Sequence, residues 1–259
     1  MTSTSFGIPL LGELIPGGTK PGTIFMVEYD PESQWFSFAT SITAGVLRSN
    51  GYVTYMVFTR SPEEFKYDLS ALEVDLEIAL NEGRLIVDDW YTASLAGGRI
   101  ATPIATPGFF ERTKGGWKAQ SLKVADLSVQ WLKESKDVVR AGHESENWPP
   151  GALAVGEAVS SLLRFNDEKE VLEWIESRVM PSERKSRRIT MWGFTRGIHS
   201  EVFYKRLEST CDGVIDLRVM ERGDEPKNFF RIRSLKGQPH DAHWHEIEIR
   251  QNGEAILKD

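Results

Sequence analysis

The chain has 259 residues, of which 40% are hydrophobic and 27% are charged, and its formal net charge at pH 7 is −7. A chain of this length buries roughly three quarters of the surface that it exposes when unfolded, so the composition predicts one large or two small folded domains and excludes disorder. The acidic balance disfavours non-specific adsorption to nucleic acid or to an anionic membrane, although a local basic surface can still exist.

The cysteine count and the distribution of apolar residues indicate the cellular compartment in which the protein works. Cys211 is the only cysteine, which excludes an internal disulfide framework and favours a reducing compartment. No stretch approaches the ~18 apolar residues that a membrane-spanning helix needs, and Met1 leads into polar residues. We therefore expect a soluble cytoplasmic protein with no membrane partner.

The first half of the chain alternates predicted strands and helices. Ser61, Pro62 and Glu64 are typical of the start of a helix, with Ser at the N-cap, Pro at N1 and Glu at N3. The predicted elements, by residue number, are a short amphipathic turn of helix followed by a Gly/Pro-rich loop at 6–22, a strand at 24–27, a loop at 29–34, a helix at 35–47, a strand at 52–58, helices at 62–69 and 76–80, and a strand at 85–87.

Gly/Pro clusters interrupt this alternation at about 97–150, around one helix candidate at 122–139, which is typical of an insertion or a functional flap. The predicted elements that follow are a strand at 152–155, a helix at 167–179, a strand at 189–194, a helix at 201–209, and antiparallel strands at 214–220, 228–235 and 243–250. Together they predict an α/β fold with a central, mainly parallel twisted sheet flanked by helices, and an antiparallel C-terminal β-meander.

The strand, loop and helix at 24–47 have the order of a phosphate-binding unit, in which the helix N-terminus points N–H groups at the ligand. The pattern G-x-x-x-x-G-K-[ST] fits this frame at Tyr29, Gln34, Trp35 and Phe36. Tyr29 and Gln34 replace the glycines whose backbone approaches phosphate. Trp35 and Phe36 replace the lysine and the Mg²⁺-binding hydroxyl, so none of the four positions keeps its chemistry.

The residues inside this loop are also unfavourable for a triphosphate. Asp30 and Glu32 add negative charge, and no lysine lies between Lys20 and Lys66. Losing several charge-assisted hydrogen bonds of ~1.5 to 3 kcal/mol each predicts millimolar or weaker affinity for ATP. We expect a packed turn without bound ATP or Mg²⁺, formed by Tyr29, Glu32, Ser33, Gln34, Trp35 and Phe36.

Several motifs in order resemble the KaiC-like branch of the RecA-type ATPases, which includes archaeal RadA paralogues. The matches are Gly17, Gly18 and Gly22 in G-G-x-x-x-G, residues 61–65 in S-P-E-E-L, 82–85 in E-x-G-R-L, 206–217 in R-L-E-S-x-x-D-G-V-I-x-L and, in a weakened form, 231–244 in R-x-x-K-x-R-G-x-x-H-D-x-x-W. The resemblance implies a single RecA/KaiC-like domain over residues 1–259, with the irregular insertion at about 97–150.

The resemblance also assigns positions for the catalytic apparatus. It puts the water-activating glutamate pair at Thr59 and Arg60, so the general base is missing. It puts the Walker B aspartate at Glu157, which is interpreted either as a remaining metal ligand or as a buried or helix-capping carboxylate. We therefore assign no catalytic residue and expect a pseudo-ATPase.

The C-terminal motif of the family reaches into the neighbouring subunit's site with Lys and Arg. The corresponding positions are Ser234 and Lys236, and His240 and Asp241 are retained. Lys236, His240 and Asp241 are therefore candidate contacts between subunits. His243 and His245 add two possible metal ligands beside them. An exposed strand face explains these histidines as well, so no metal site is assigned.

Three functions stay open at this point. The first is a catalytically inactive domain that acts as a binding, assembly or regulatory subunit, in a homo-oligomer or with an active paralogue. The second is a RadA-paralogue-like protein that binds single-stranded nucleic acid, with contacts from a basic run interpreted as a loop: Arg184, Lys185, Arg187 and Arg188. The third is an ATP sensor that does not hydrolyse, with Glu157 and Lys236 as the remains of the site.

Overall fold

The structure is a computed structural model that describes residues 9–91, 108–113, 116–121, 152–164 and 166–258. The helix candidate at 122–139 and most of the predicted insertion lie outside the described residues.

A nine-stranded sheet organises the described residues, in the order β11-β10-β9-β8-β1-β7-β6-β2-β3. In this order, the six strands β8, β1, β7, β6, β2 and β3 run parallel to one another. Strands β9, β10 and β11 extend the sheet beyond β8 with antiparallel pairing. The strands are β1 (Ile24–Tyr29), β2 (Val53–Val57), β3 (Leu85–Asp89), β6 (Leu153–Gly156), β7 (Ile189–Thr195), β8 (Gly213–Arg222), β9 (Glu225–Leu235), β10 (His245–Ile249) and β11 (Ala255–Leu257). A separate hairpin pairs β4 (Gly108–Thr113) with β5 (Gly116–Ser121).

Helices cover both faces of this sheet, and each face has its own apolar core. The helices are α1 (Pro9–Gly12), α2 (Trp35–Arg48), α3 (Pro62–Ala71), α4 (Leu76–Asn81), α5 (Glu168–Trp174), α6 (Met180–Ser186) and α7 (Glu201–Thr210), with a 3₁₀ segment (Val159–Arg164) and a π segment (Ile175–Val179). One core lies under α1 to α4, and the other lies under α5 to α7. None of the described helices is both long and apolar enough to span a bilayer.

The parallel strands give the sheet two chemically different ends. We call the end where β1, β2, β6 and β7 finish the carboxyl end, and the end where they begin the amino end. The loop at residues 30–34 follows β1 and so lies at the carboxyl end. The β8–β9 hairpin is longer than β1, so its tip extends past this loop.

The predicted α/β fold is confirmed, and the predicted elements that fall on described residues recur with small shifts in their bounds. The capping box at Ser61 and Glu64 forms as the sequence indicates. One prediction is wrong: the helix expected to end at residue 179 continues through the π segment into α6. Pro181 lies in the first turn of α6, where a missing N–H is tolerated, so Arg184 and Lys185 are helical residues and not part of a loop.

Candidate functional site

The start of α2 is closed by a side chain from the β8–β9 hairpin. The backbone N–H of Gln34 donates to the side-chain oxygen of Asn228 on β9 at 2.9 Å. The N–H of Ser33 donates within the loop to the carbonyl of Asp30, also at 2.9 Å. Two N–H groups of the kind that would face a phosphate are therefore already bonded within the chain.

Trp35, which the sequence pattern aligns with the P-loop lysine, is completely buried at the carboxyl end of the sheet. Its indole N–H donates to the backbone carbonyl of Glu157 at 2.5 Å. The ring lies against Gly193 of β7, where an added Cβ would come within 2.5 Å of the indole nitrogen and 2.4 Å of the same carbonyl oxygen. Trp35 fits only because residue 193 has no side chain.

Two more aromatic residues complete this packing. Tyr29 stacks on Trp35 with ring centroids 5.8 Å apart, and its hydroxyl accepts a hydrogen bond of 2.8 Å from the hydroxyl of Thr195. Burial raises the pKa of Tyr29 to about 12, so it is a neutral phenol at physiological pH. Phe36, half-buried, meets the edge of Tyr29 at 6.2 Å. Tyr29, Trp35 and Phe36, three of the positions that the sequence pattern aligns with a P-loop, thus form an aromatic cluster, while Gln34 is exposed.

Glu157, which the resemblance aligns with the Walker B aspartate, is fully buried in the turn that follows β6. Its two carboxylate oxygens accept hydrogen bonds from five donors: the backbone N–H groups of Phe58 (3.0 Å) and Thr59 (3.3 Å), the hydroxyls of Thr59 (3.4 Å) and Tyr55 (3.1 Å), and Nε of Arg60 (2.8 Å). A carboxylate has about four lone-pair directions, so these donors fill its bonding capacity. A metal ion at Glu157 would have to displace several of them.

Arg60 is the counter-ion of Glu157, and only 14% of its side chain is exposed. Its guanidinium lies 5.3 to 5.8 Å from the centroids of three rings: Phe36, Tyr55 and Phe65. It donates to four side chains: Glu157 (2.8 Å), Asp68 (2.7 Å), Tyr55 (2.9 Å) and Thr40 (3.1 Å). Burial by itself lowers the pKa of Arg60, but Tyr55 and Glu157 outweigh it, so the pKa is raised and the cation is retained.

The loop carboxylate Asp30 is likewise neutralised within the chain. One of its oxygens lies 3.3 Å from Nη1 of Arg196 and 4.0 Å from Nε of Arg218. The other accepts the backbone N–H of Val219 on β8 at 3.0 Å. Glu32, by contrast, is exposed. The loop therefore presents the carboxylate of Glu32 to solvent, while the carboxylate of Asp30 is bonded to β8 and to Arg196, the residue after β7.

Of the three residues expected at a subunit contact, Lys236 lies at the amino end of the sheet. It follows the last residue of β9, which pairs with the first residue of β8, and the Lys236 ammonium donates to the carbonyl of Ser209 at 2.5 Å. Nδ1 of His240 lies 3.2 Å from a backbone carbonyl. Hydrogen bonds from His243 lower the pKa of Asp241. The role of these three residues between subunits stays a prediction.

The basic run divides into an inward residue and three outward ones. Arg188 forms a two-pronged ion pair with Glu183, which is buried. Arg184, Lys185 and Arg187 are exposed. Only these three have the exposure that a nucleic-acid contact requires, and Arg188 belongs to the packing under α6.

Within the described ranges, no group of three or more His, Cys, Asp or Glu side chains is placed to hold a metal ion. Sequence reasoning assigned Arg60 and Glu157 to one site but missed that they bind each other. It also missed Gly193 and Asn228. A glycine inside a predicted strand was an available signal for Gly193, because it often marks a close approach by another group.

Comparison with known proteins bears on the fold. No family model matches the chain, and no curated protein matches it in sequence. The chain resembles the crystal structure of a KaiC-like protein from the hyperthermophilic archaeon Pyrococcus horikoshii OT3, with a TM-score of 0.67, 16% identity and 99% of each chain covered. It also resembles the flagellar accessory protein FlaH from Methanocaldococcus jannaschii, with a TM-score of 0.64, 14% identity, and 95% of this chain and 94% of that chain covered.

The sheet order, the loop between β1 and α2 and these two likenesses agree with one another. The chain has the RecA-type fold of the KaiC-like proteins.

Proposed function

We propose that this chain is a catalytically inactive RecA-type domain that acts as a binding, assembly or regulatory subunit and does not hydrolyse ATP. The observation that carries the proposal is the ion pair between Arg60 and Glu157. An arginine stands at the position of the general base, and it neutralises the carboxylate at the Walker B position.

Phosphoryl transfer to water needs a cation at the terminal phosphates, a liganded Mg²⁺ and a residue that orients the water. Trp35 supplies an indole whose N–H is already bonded to Glu157, and Phe36 supplies no hydroxyl. Glu157 is already bonded by five donors, and Arg60 cannot take up a proton from water. Each requirement fails for its own reason, so restoring any one of them would leave the other two unmet.

A role in assembly has support at the surface of the carboxyl end. Ile198, in the turn before α7, and Val202, in its first turn, are large apolar side chains with 53% and 66% of their surface exposed. Exposed apolar surface of this kind is typical of protein contacts when it forms a patch. The partner we propose is a second copy of this chain or an active paralogue of the same fold.

Titration calorimetry with ATP and Mg²⁺ at millimolar concentration tests the proposal, with light scattering on the same sample at tens of micromolar protein. We expect no saturable heat, no phosphate release, and a species larger than the monomer or one that forms when a paralogue is added. ATP hydrolysis that Glu157→Gln abolishes would contradict the proposal, and saturable heat without phosphate release would favour an ATP sensor.

A further inference from the structure

Five exposed cationic side chains meet at the amino end of the sheet. They come from three separate parts of the chain: Lys20 before β1, the α6 terminus with Arg184, Lys185 and Arg187, and Lys236 after β9. We call these five residues the amino-end basic surface.

Direct contacts tie the three segments together. The ammonium of Lys20 donates to the carbonyl of Gly237 at 2.8 Å, beside Lys236. Lys236 and Arg184 donate to consecutive carbonyls at the end of α7, those of Ser209 at 2.5 Å and Thr210 at 2.6 Å.

The α6 terminus also contacts the segment before β1. A Cβ placed on Gly22 would lie 3.7 Å from Cα of Arg187 and 3.4 Å from the carbonyl oxygen of Arg184. The five cations therefore belong to one continuous surface.

The neighbouring carboxylates are largely committed to the fold. Asp212, half-buried, accepts the backbone N–H of Ile24 at 3.0 Å and lies 3.7 Å from Arg184. Glu183 points inward to Arg188, and Glu208 pairs with Arg233 on β9 at 2.7 Å. Positive charge thus predominates here on a chain whose net charge is −7.

Stabilising the C-terminal end of α7 explains only some of the cations on this surface. Arg184 and Lys236 bond the last carbonyls of α7, which is a common use of cations at a helix C-terminus. Lys185 and Arg187 extend the positive surface beyond that helix end, and both are exposed.

We propose that the amino-end basic surface binds the phosphodiester backbone of nucleic acid. An acidic protein partner is disfavoured because the anchors of protein interfaces are aromatic and other apolar side chains as well as arginine. The large exposed apolar side chains of the described residues lie elsewhere, on α3, on α4 and at the start of α7. The surface is defined by cations from three segments, so the contact is with phosphate and does not depend on sequence. The inference is independent of whether the carboxyl end binds nucleotide.

Fluorescence anisotropy with a labelled oligothymidylate of about 20 nucleotides tests this surface at about 50 mM and about 200 mM salt. If all five cations contact phosphates, affinity falls roughly 100-fold between the two salt concentrations. Lys185→Glu/Arg187→Glu should weaken binding at least tenfold at the lower salt. These two residues are chosen because both are exposed, whereas Arg184 and Lys236 bond the last carbonyls of α7.

The matched control is Lys169→Glu/Lys205→Glu, which makes the same change in net charge on α5 and α7. Both lysine side chains are well exposed, at 82% and 75%. We expect this variant to bind within about threefold of the unmodified chain, since distant charges are largely screened. Thermal melts of both variants verify that they fold, and Lys185→Gln/Arg187→Gln replaces the first variant if it does not.

Three results would overturn the proposal. The first is no binding at the lower salt with up to about 100 µM protein. The second is an equal loss of affinity in the two variants, which would indicate general charge and not a site. The third is polyglutamate competing as well as DNA, which would indicate an acidic protein partner. None of these outcomes depends on ATP, so failure here is distinguishable from failure of the pseudo-ATPase proposal.

Discussion

At the scale of single residues, the carboxyl end of the sheet is organised by two side chains that act together. The sequence resemblance aligns Trp35 with a P-loop lysine and Arg60 with a carboxylate, and the structure shows aromatic packing at the first position and a buried ion pair at the second. Both side chains bond Glu157, Trp35 at its carbonyl and Arg60 at its carboxylate. Contacts of this kind stabilise a fold without any ligand.

Arg60→Met should lower the free energy of unfolding by about 3 to 5 kcal/mol, because it leaves the Glu157 carboxylate buried without its counter-ion. Urea denaturation measures this change. Arg206→Met, which removes a partly exposed ion pair with Glu176, should cost less than about 1 kcal/mol. The double variant Arg60→Met/Glu157→Gln should recover part of the loss. Equal, small effects of the two arginine substitutions would show that the buried pair is unimportant.

Gly193→Ala should destabilise the chain by about 3 kcal/mol, because the new methyl group would overlap the indole of Trp35 and the carbonyl of Glu157. Gly12→Ala is the matched control, since an added Cβ there meets nothing within 4 Å. In a Trp35→Leu background, Gly193→Ala should lower the free energy of unfolding by less than it does in the unmodified chain. A double-mutant cycle, measured by urea denaturation, tests this expectation. Additive costs in that cycle would contradict the proposed contact.

At the scale of elements, a buried histidine joins the 3₁₀ segment to the start of α7. Nε2 of His199 lies 2.8 Å from the hydroxyl of Ser160, and the imidazole stacks on Phe203 with ring centroids 3.9 Å apart. The hydroxyl of Ser160 also accepts the backbone N–H of Thr195. Glu168, at 4.0 Å from Nδ1, accepts the N–H of Ser200, the N-cap of α7. Burial of the imidazole among these groups favours its neutral form.

Burial lowers the pKa of His199 to about 4, while Glu168 opposes the shift. Because the folded pKa is below the unfolded value of about 6.5, the unfolded chain binds more protons between these values, and stability is lost as pH falls from about 6.5 to 4. The loss amounts to at most roughly 3 kcal/mol. His199→Phe keeps the ring stack and should flatten the pH dependence of urea unfolding in this window. An unchanged slope would contradict the assignment.

The sequence predicts elements well where local rules decide them and fails where distant residues meet. The capping residues of α3 and the strand at β1 follow from local patterns and from burial on both faces. The continuation from α5 to α6 does not, because a proline usually marks a helix boundary and only the preceding π segment places Pro181 in a first turn. The pairing of Arg60 with Glu157 depends on β2 lying beside β6, which no local pattern encodes.

At the scale of the whole molecule, the two ends of the sheet differ in chemistry. The carboxyl end is closed by aromatic packing and by ion pairs within the chain, and it exposes Ile198 and Val202. The amino end carries five exposed cations from three segments. Sequence reasoning found three of the five in one run but could not join Lys20 and Lys236 to them, because that surface exists only once β1, β9 and α6 are packed together.

The contact between Trp35 and Gly193 also limits how the sequence can change. Replacing Trp35 by lysine would open a void against Gly193 and would still leave Glu157 neutralised by Arg60, so this single mutation would weaken the fold. On the proposed function, a variant that hydrolyses ATP would need changes at Tyr29 on β1, Trp35 on α2 and Arg60 after β2 together, and the change at Trp35 alone would only cost stability.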